Sequence, residues 1–196
     1  MMDALILAGG ENRRIPVLKG FIKIQDKKII ERNLNLLRQM FSKVIISTNS
    51  PELYFYLGAQ MIGDVLSHRG PMTGIYSVLI NINSPFLFVT ACDMPYINVI
   101  LIKYIADKAD ERYDAIIPLY ENRSQPLLGV YSKRIAGKME NSIIQGKRSL
   151  RDFLKELVVY YINEEEIRKI DPFGRSFVNI NTIEDYKREG GSECLV

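Results

Sequence analysis

Three short runs with almost nothing polar inside them constrain this chain most: Ala4 to Ala8 (ALILA), the VII centre of Lys43 to Thr48 (KVIIST), and Phe86 to Ala91 (FLFVTA). A strand with one face in water alternates apolar and polar residues. A strand apolar throughout is buried on both faces, as in a parallel sheet covered by helices. Helical stripes lie between the runs. Ile30, Leu34, Leu37 and Phe41 make one, over an expected helix from Ile29 to Met40; Ile97, Ile100, Leu101, Tyr104 and Ile105 make another. Strands alternating with helices predict an α/β fold with a mostly parallel central sheet and helices on both faces.

The remaining elements are predicted more coarsely. Ser50 and Pro51 should open a helix that stops at Gly58. Met72–Ile82 reads as a helix, 114–131 as a hairpin, and Ser132–Ile144 and Leu150–Glu156 as helices. Val158–Ile162 reads as a strand, 163–174 as irregular, Phe177–Ile180 as extended, and Thr182 as the cap of a last helix. One domain over 1–188 with a frayed tail at 189–196 is expected.

Composition narrows the class. Hydrophobic residues make up 47% and charged residues 25%, which suits a globular fold and not a disordered one. The net charge of +3, without a Lys/Arg block, permits an anionic ligand but does not call for nucleic acid. Cys92 and Cys194 form neither a metal-spacing pair nor a disulfide framework, and His68 is the single histidine, so zinc is disfavoured. No apolar run approaches the ~20 residues of a membrane helix, and Met1-Met2-Asp3-Ala4 lacks the basic start of a leader. A cytoplasmic location with no membrane contact is expected.

In open α/β sheets, ligands bind outside the carboxyl ends of the strands. Polar or glycine residues stand at all three such ends here: Gly9-Gly10, Asn49 and Asp93. The glycine pair lets backbone approach a ligand, and Arg13, Arg14 and Lys19 follow it. The pattern is neither G-x-x-x-x-G-K-[ST] nor G-x-G-x-x-G, so taken alone it reads better as a turn with solvated cations than as a phosphate cradle. Asp93, after the most apolar run and before Pro95, suits either a Mg²⁺ ligand or a turn aspartate. Asp64 can accept paired hydrogen bonds from guanine or sit solvated in its loop. Asn49 can bond a nucleotide or close a turn.

Five segments in order then resemble the molybdenum cofactor guanylyltransferases (MobA). They are Leu5–Lys19 (LILAGGENRRIPVLK), Gly70–Ile75 (GPMTGI), Thr90–Pro95 (TACDMP), Gly146–Leu150 (GKRSL) and Phe177–Thr182 (FVNINT). The resemblance implies a three-layer Rossmann-like nucleotidyltransferase fold. It implies that Leu7, Ala8, Gly9, Gly10, Lys19, Asn49, Asp64 and Asp93 contact the nucleotide, that Asp93 holds Mg²⁺, and that Arg14 aligns with the signature arginine. Pro16 stands where the signature has glycine, and Leu18 where it has an acid.

The implied activity is transfer of GMP from GTP to molybdopterin, with pyrophosphate released. Acceptor contacts are expected at Arg148, Asn179 and Asn181, within 124–126, 147–151 and 179–181. GTP and the molybdenum cofactor acceptor are the implied partners, with room for cofactor-biosynthesis proteins or molybdoenzyme apoproteins. A relative using CTP or a sugar or polyol phosphate, or a non-catalytic nucleotide-binding adaptor, fits the same residues.

Overall fold

The first apolar run becomes a strand with a parallel neighbour on each side. A computed structural model of the chain describes residues 2–9, 21–24 and 26–189. In chain order the strands are β1 (Met2–Leu7), β2 (Lys23–Ile24), β3 (Lys27–Lys28), β4 (Val44–Ser47), β5 (Gln60–Ile62), β6 (Phe86–Ala91), β7 (Ala115–Tyr120), β8 (Arg123–Ser124), β9 (Leu128–Ser132) and β10 (Val159–Ile162). The helices are α1 (Ile29–Arg38), α2 (Pro71–Leu79), α3 (Val99–Asp107), α4 (Ala136–Ile144), α5 (Leu150–Leu154), α6 (Glu164–Ile170) and α7 (Ile183–Arg188).

The main sheet runs β10-β7-β9-β6-β1-β4-β5, with β8 paired to β7. Pairing is parallel between β1 and β4, β1 and β6, β4 and β5, and β7 and β10. β9 runs antiparallel to both β6 and β7. After β5 at one edge, the chain passes through α2 and returns on the far side of β1 as β6. That reversal opens a crevice at the carboxyl ends of β4, β1 and β6.

Successive side chains of each strand enter different cores. Ala4 and Ile6 of β1, Val44 and Ile46 of β4, and Phe88 of β6 pack with Leu34 and Leu37 of α1 and Leu101 and Ile105 of α3. Leu5, Leu7, Ile45, Leu87 and Val89 pack on the other face with Ile75 and Leu79 of α2, Met139 of α4 and Phe153 of α5. Three layers result, as expected. A small third cluster joins Ile22, Ile24 and Ile29 to Ile180 and Tyr186.

Some expectations needed correction. Residues 51–57 form two single 3₁₀ turns, Pro51–Leu53 and Phe55–Leu57, instead of one helix. The Ser50 side chain makes no cap, and Tyr54 leaves helical geometry (φ −122°) where its ring is buried. Gly58 ends the segment in the left-handed region (φ 55°), as its position suggested. α2 stops at Leu79, short of Ile82. Residues 163–174 contain α6, capped by Asn163 Oδ1 accepting from the Glu166 N–H at 2.9 Å. Within Phe177–Ile180, Val178 is extended, but Phe177 closes a 3₁₀ turn and no strand forms. The Asp171 carboxylate accepts from the N–H groups of Arg175 and Ser176, and Arg175–Phe177 curls into a 3₁₀ turn. The 114–131 hairpin is present, with β8 folded onto β7 through Glu121 and Asn122, both at positive φ.

Candidate active site

Strand register sets the geometry. Leu7 pairs with Ser47 on one side and Ala91 on the other, and Ser47 pairs with Ile62. These four residues form one row across the sheet. Moving two residues past the row on each strand gives Gly9, Asn49, Asp93 and Asp64. The four therefore stand along a common rim although the sequence separates them widely.

The rim borders a cavity of about 640 Å³, within the size range of small-molecule sites. Leu7, Ala8, Gly9, Asn49, Asp64 and Asp93 all line it. Gly10, Arg14, Pro16 and Lys19 lie outside the described residues. Asn49 and Asp64 clasp each other: Asn49 Nδ2 donates to Asp64 Oδ2 at 2.8 Å, and the Asp64 N–H donates to Asn49 Oδ1 at 2.8 Å. One Asp64 carboxylate oxygen is thus held by Asn49.

Asp93 is 8% exposed, and its turn is tied on several sides. Cys92 N–H donates to Leu7 C=O, and Ile180 N–H donates to Asp93 C=O, both at 3.0 Å. Asn33 Nδ2 donates to Met94 C=O at 3.0 Å. A wall carboxylate on a fixed turn, beside space for phosphate oxygens, fits a hard cation that takes few protein ligands. Among the described residues no group of three or more His, Cys, Asp or Glu could hold a metal. Any cation here would draw the rest of its shell from ligand and water.

Sequence reading missed parts of the wall. Leu53, Tyr54, Arg69 and Leu127 also line the cavity. Burial, followed by the neighbouring Cys92 thiol, pushes the Tyr54 hydroxyl above the usual tyrosine range, so it stays neutral. Nothing local marks Tyr54, because its role depends on how two 3₁₀ turns seat it.

A second cavity of about 280 Å³ adjoins the first, and both are lined by Pro71 and Leu127. Gln125, Pro126, Ser149, Arg151 and Asn179 contribute to its wall. Arg151 Nε donates to Ser124 C=O at 3.3 Å, and Asn179 Nδ2 to Phe177 C=O at 3.0 Å. Arg148 and Asn181 are exposed and line neither cavity. The Asn181 N–H donates to Asp185 Oδ2 at 3.1 Å, beside the Thr182 capping box. Lys147 pairs with Glu156 at 2.6 Å. His68 is exposed.

The MobA-like NTP transferase domain model matches residues 4–160. The chain belongs to this family. A probable molybdenum cofactor guanylyltransferase of Peptoclostridium acidaminophilum is 36% identical, over 95% of this chain and 87% of that protein. The molybdenum cofactor guanylyltransferase of Syntrophotalea carbinolica is 32% identical, over 95% and 89%. The crystal structure of molybdopterin-guanine dinucleotide biosynthesis protein A from Archaeoglobus fulgidus superposes with a TM-score of 0.79 at 29% identity, covering 95% of this chain and 96% of that one. As a MobA-like NTP transferase, the chain is a nucleotidyltransferase. Among the described residues no helix is long and apolar enough to cross a membrane.

Proposed function

We propose that this nucleotidyltransferase transfers GMP from GTP to the terminal phosphate of the molybdopterin form of the molybdenum cofactor. One observation carries the reading: residues from four strand ends that the resemblance marks for nucleotide line a single cavity. The names of the relatives supply the acceptor.

The smaller cavity, next door across Pro71 and Leu127, is assigned to the acceptor, with Arg151 and Asn179 in its wall. An acceptor phosphate oxygen attacks the α-phosphorus of GTP. The new P–O bond forms as the bond from α-phosphorus to the β-bridging oxygen breaks, and pyrophosphate leaves. The nucleophile is already anionic, so a general base has little to add; positioning and charge neutralisation are the requirement. Asp64 accepts from the N1–H and amine of guanine, held for that purpose by Asn49. Gly9 lets backbone approach the nucleotide. Arg14 and Lys19 are assigned to the departing pyrophosphate.

Magnesium held by Asp93 would supply neutralisation of the phosphate oxygens. Asp93→Ala is expected to lower turnover by roughly 10²–10³-fold, the size typical of one lost electrostatic contact, with unchanged thermal unfolding. Pyrophosphate release with the molybdenum-loaded acceptor, compared among GTP, CTP and ATP, checks both parts. Near-normal turnover in Asp93→Ala would overturn the site, and preference for CTP would overturn the nucleotide.

A further inference from the structure

The segment Gly63–Gly70 brings Asp64 and Arg69 into the wall of the nucleotide cavity. It contains no helix or strand of its own. Its conformation is instead held by α2. The Val65 N–H donates to Ser77 Oγ at 3.0 Å. Ser77 Oγ donates in turn to Thr73 C=O at 2.7 Å, and Thr73 Oγ1 donates to His68 C=O at 2.6 Å. Two hydroxyls thus grip the segment at Val65 and at His68.

These hydroxyls sit in an unusual place. Ser77 is 0% and Thr73 2% exposed, among the buried Met72, Ile75, Tyr76, Val78 and Leu79 of α2. A buried hydroxyl is costly unless bonded. A serine donating to its own helix four residues back does not strengthen that helix. The benefit at both positions lies across the gap, in the segment bearing Asp64.

α2 is a fixed reference. A Cβ on Gly74 would lie 2.7 Å from Ser47 Oγ and 2.8 Å from Leu7 Cδ2. The helix therefore rests directly on the ends of β1 and β4, beneath the nucleotide cavity. Asp64 is then located twice over. Asn49 grips its backbone N–H and carboxylate, and α2 grips the residue after it.

We propose that Thr73 and Ser77 are positioning residues for nucleobase selection. They hold Asp64 at one setting, so that its carboxylate matches the paired donors of guanine and cannot re-aim toward adenine or cytosine. The proposal rests on the reading of Asp64 as the base contact. A site selects by hydrogen bonding only while its polar groups are held in place.

Affinities of the full chain for GTP, ATP and CTP, measured by titration calorimetry with Mg²⁺, test this alongside steady-state kinetics. Ser77→Ala and Thr73→Val are each expected to weaken GTP by roughly 3- to 10-fold, the worth of one hydrogen bond. ATP and CTP affinities should stay as they were, so the preference falls by the same factor. The loss should appear in KM for GTP, with kcat moved by less than about twofold. Thr73→Ser, which retains the hydroxyl, should restore the preference.

Equal weakening for all three nucleotides would mean general loosening and would overturn the proposal. So would an unchanged preference in both Ser77→Ala and Thr73→Val. Asp64→Asn separates the two levels. If it erases the preference while Ser77→Ala and Thr73→Val do not, only the positioning role falls. If it leaves the preference intact, the base contact falls and the positioning role with it.

Discussion

Asn33 shows how much of a site can rest on one residue outside it. It is 1% exposed on α1, and its Nδ2 donates to the carbonyl of Met94, next to Asp93. Leucine there has the same branched skeleton, larger methyl groups and no donor. Asn33→Leu is expected to destabilise the fold by about 1–3 kcal/mol, the penalty for leaving a buried acceptor without its bond. Urea unfolding measures it, and a change below about 0.5 kcal/mol would show the bond to be dispensable. Turnover should fall as well, because the Asp93 turn loses one of its ties. Asn33 could not be picked out from sequence. It occupies an inward position on the Ile30–Leu37 stripe, and its partner lies 61 residues away. Gly9, Asn49 and Asp93 were legible for the opposite reason. Each stands within three residues of the end of an apolar run, and strand ends in such sheets are where ligands bind.

Among the elements, α6 is the instructive omission. Asn163 at the cap, three glutamates in the first turn, and Arg168 and Lys169 in the last are all start and stop signals. The helix has only seven residues and one fully buried side chain, Ile167, so no apolar stripe announces it. Its stability then depends heavily on its ends. Asn163→Ala is expected to cost about 1 kcal/mol, read as faster amide hydrogen exchange across Glu164–Ile170. Unchanged exchange there would mean that packing alone holds α6. The 3₁₀ turns at 51–57 fail in the other direction. Ser50-Pro51 is a sound helix opening by local rules, yet burial of Tyr54 overrides it. Local signals decide an element only where tertiary packing does not compete.

At the scale of the molecule, the acidic limit of stability should be set in good part by Asp114. This carboxylate is 5% exposed where β7, β10 and α4 meet. It accepts from the Val158 N–H at 3.0 Å and from Arg134 Nε at 2.7 Å, with Lys138 Nζ at 3.6 Å. Burial alone would raise its pKa. The Val158 N–H and the two cations outweigh that and hold it below the ordinary aspartate range. A lowered folded pKa means stability present above the unfolded value of ~3.9 and lost as pH falls through the folded value. Asp114→Asn should therefore be less stable at neutral pH and lose less on acidification below about pH 4. Parallel pH profiles of wild type and variant, from thermal melts, would contradict this. The mostly parallel sheet was legible because unbroken apolar runs admit few other arrangements. The 114–131 hairpin gave β9 its antiparallel partner β7, but the pairing of β9 with β6 on its other side was not legible, since strand order depends on contacts far apart in the chain.

The two adjoining cavities draw on different parts of the polypeptide. Apart from Leu127, the larger is walled by residues between Leu7 and Asp93; apart from Pro71, the smaller is walled by residues between Met94 and Asn179. Such a layout separates two evolutionary problems. Mutation in the later half of the gene can reshape the smaller cavity, which we assign to the acceptor, while the larger is inherited intact. Pro71 and Leu127 are the points at which a change on one side is felt on the other.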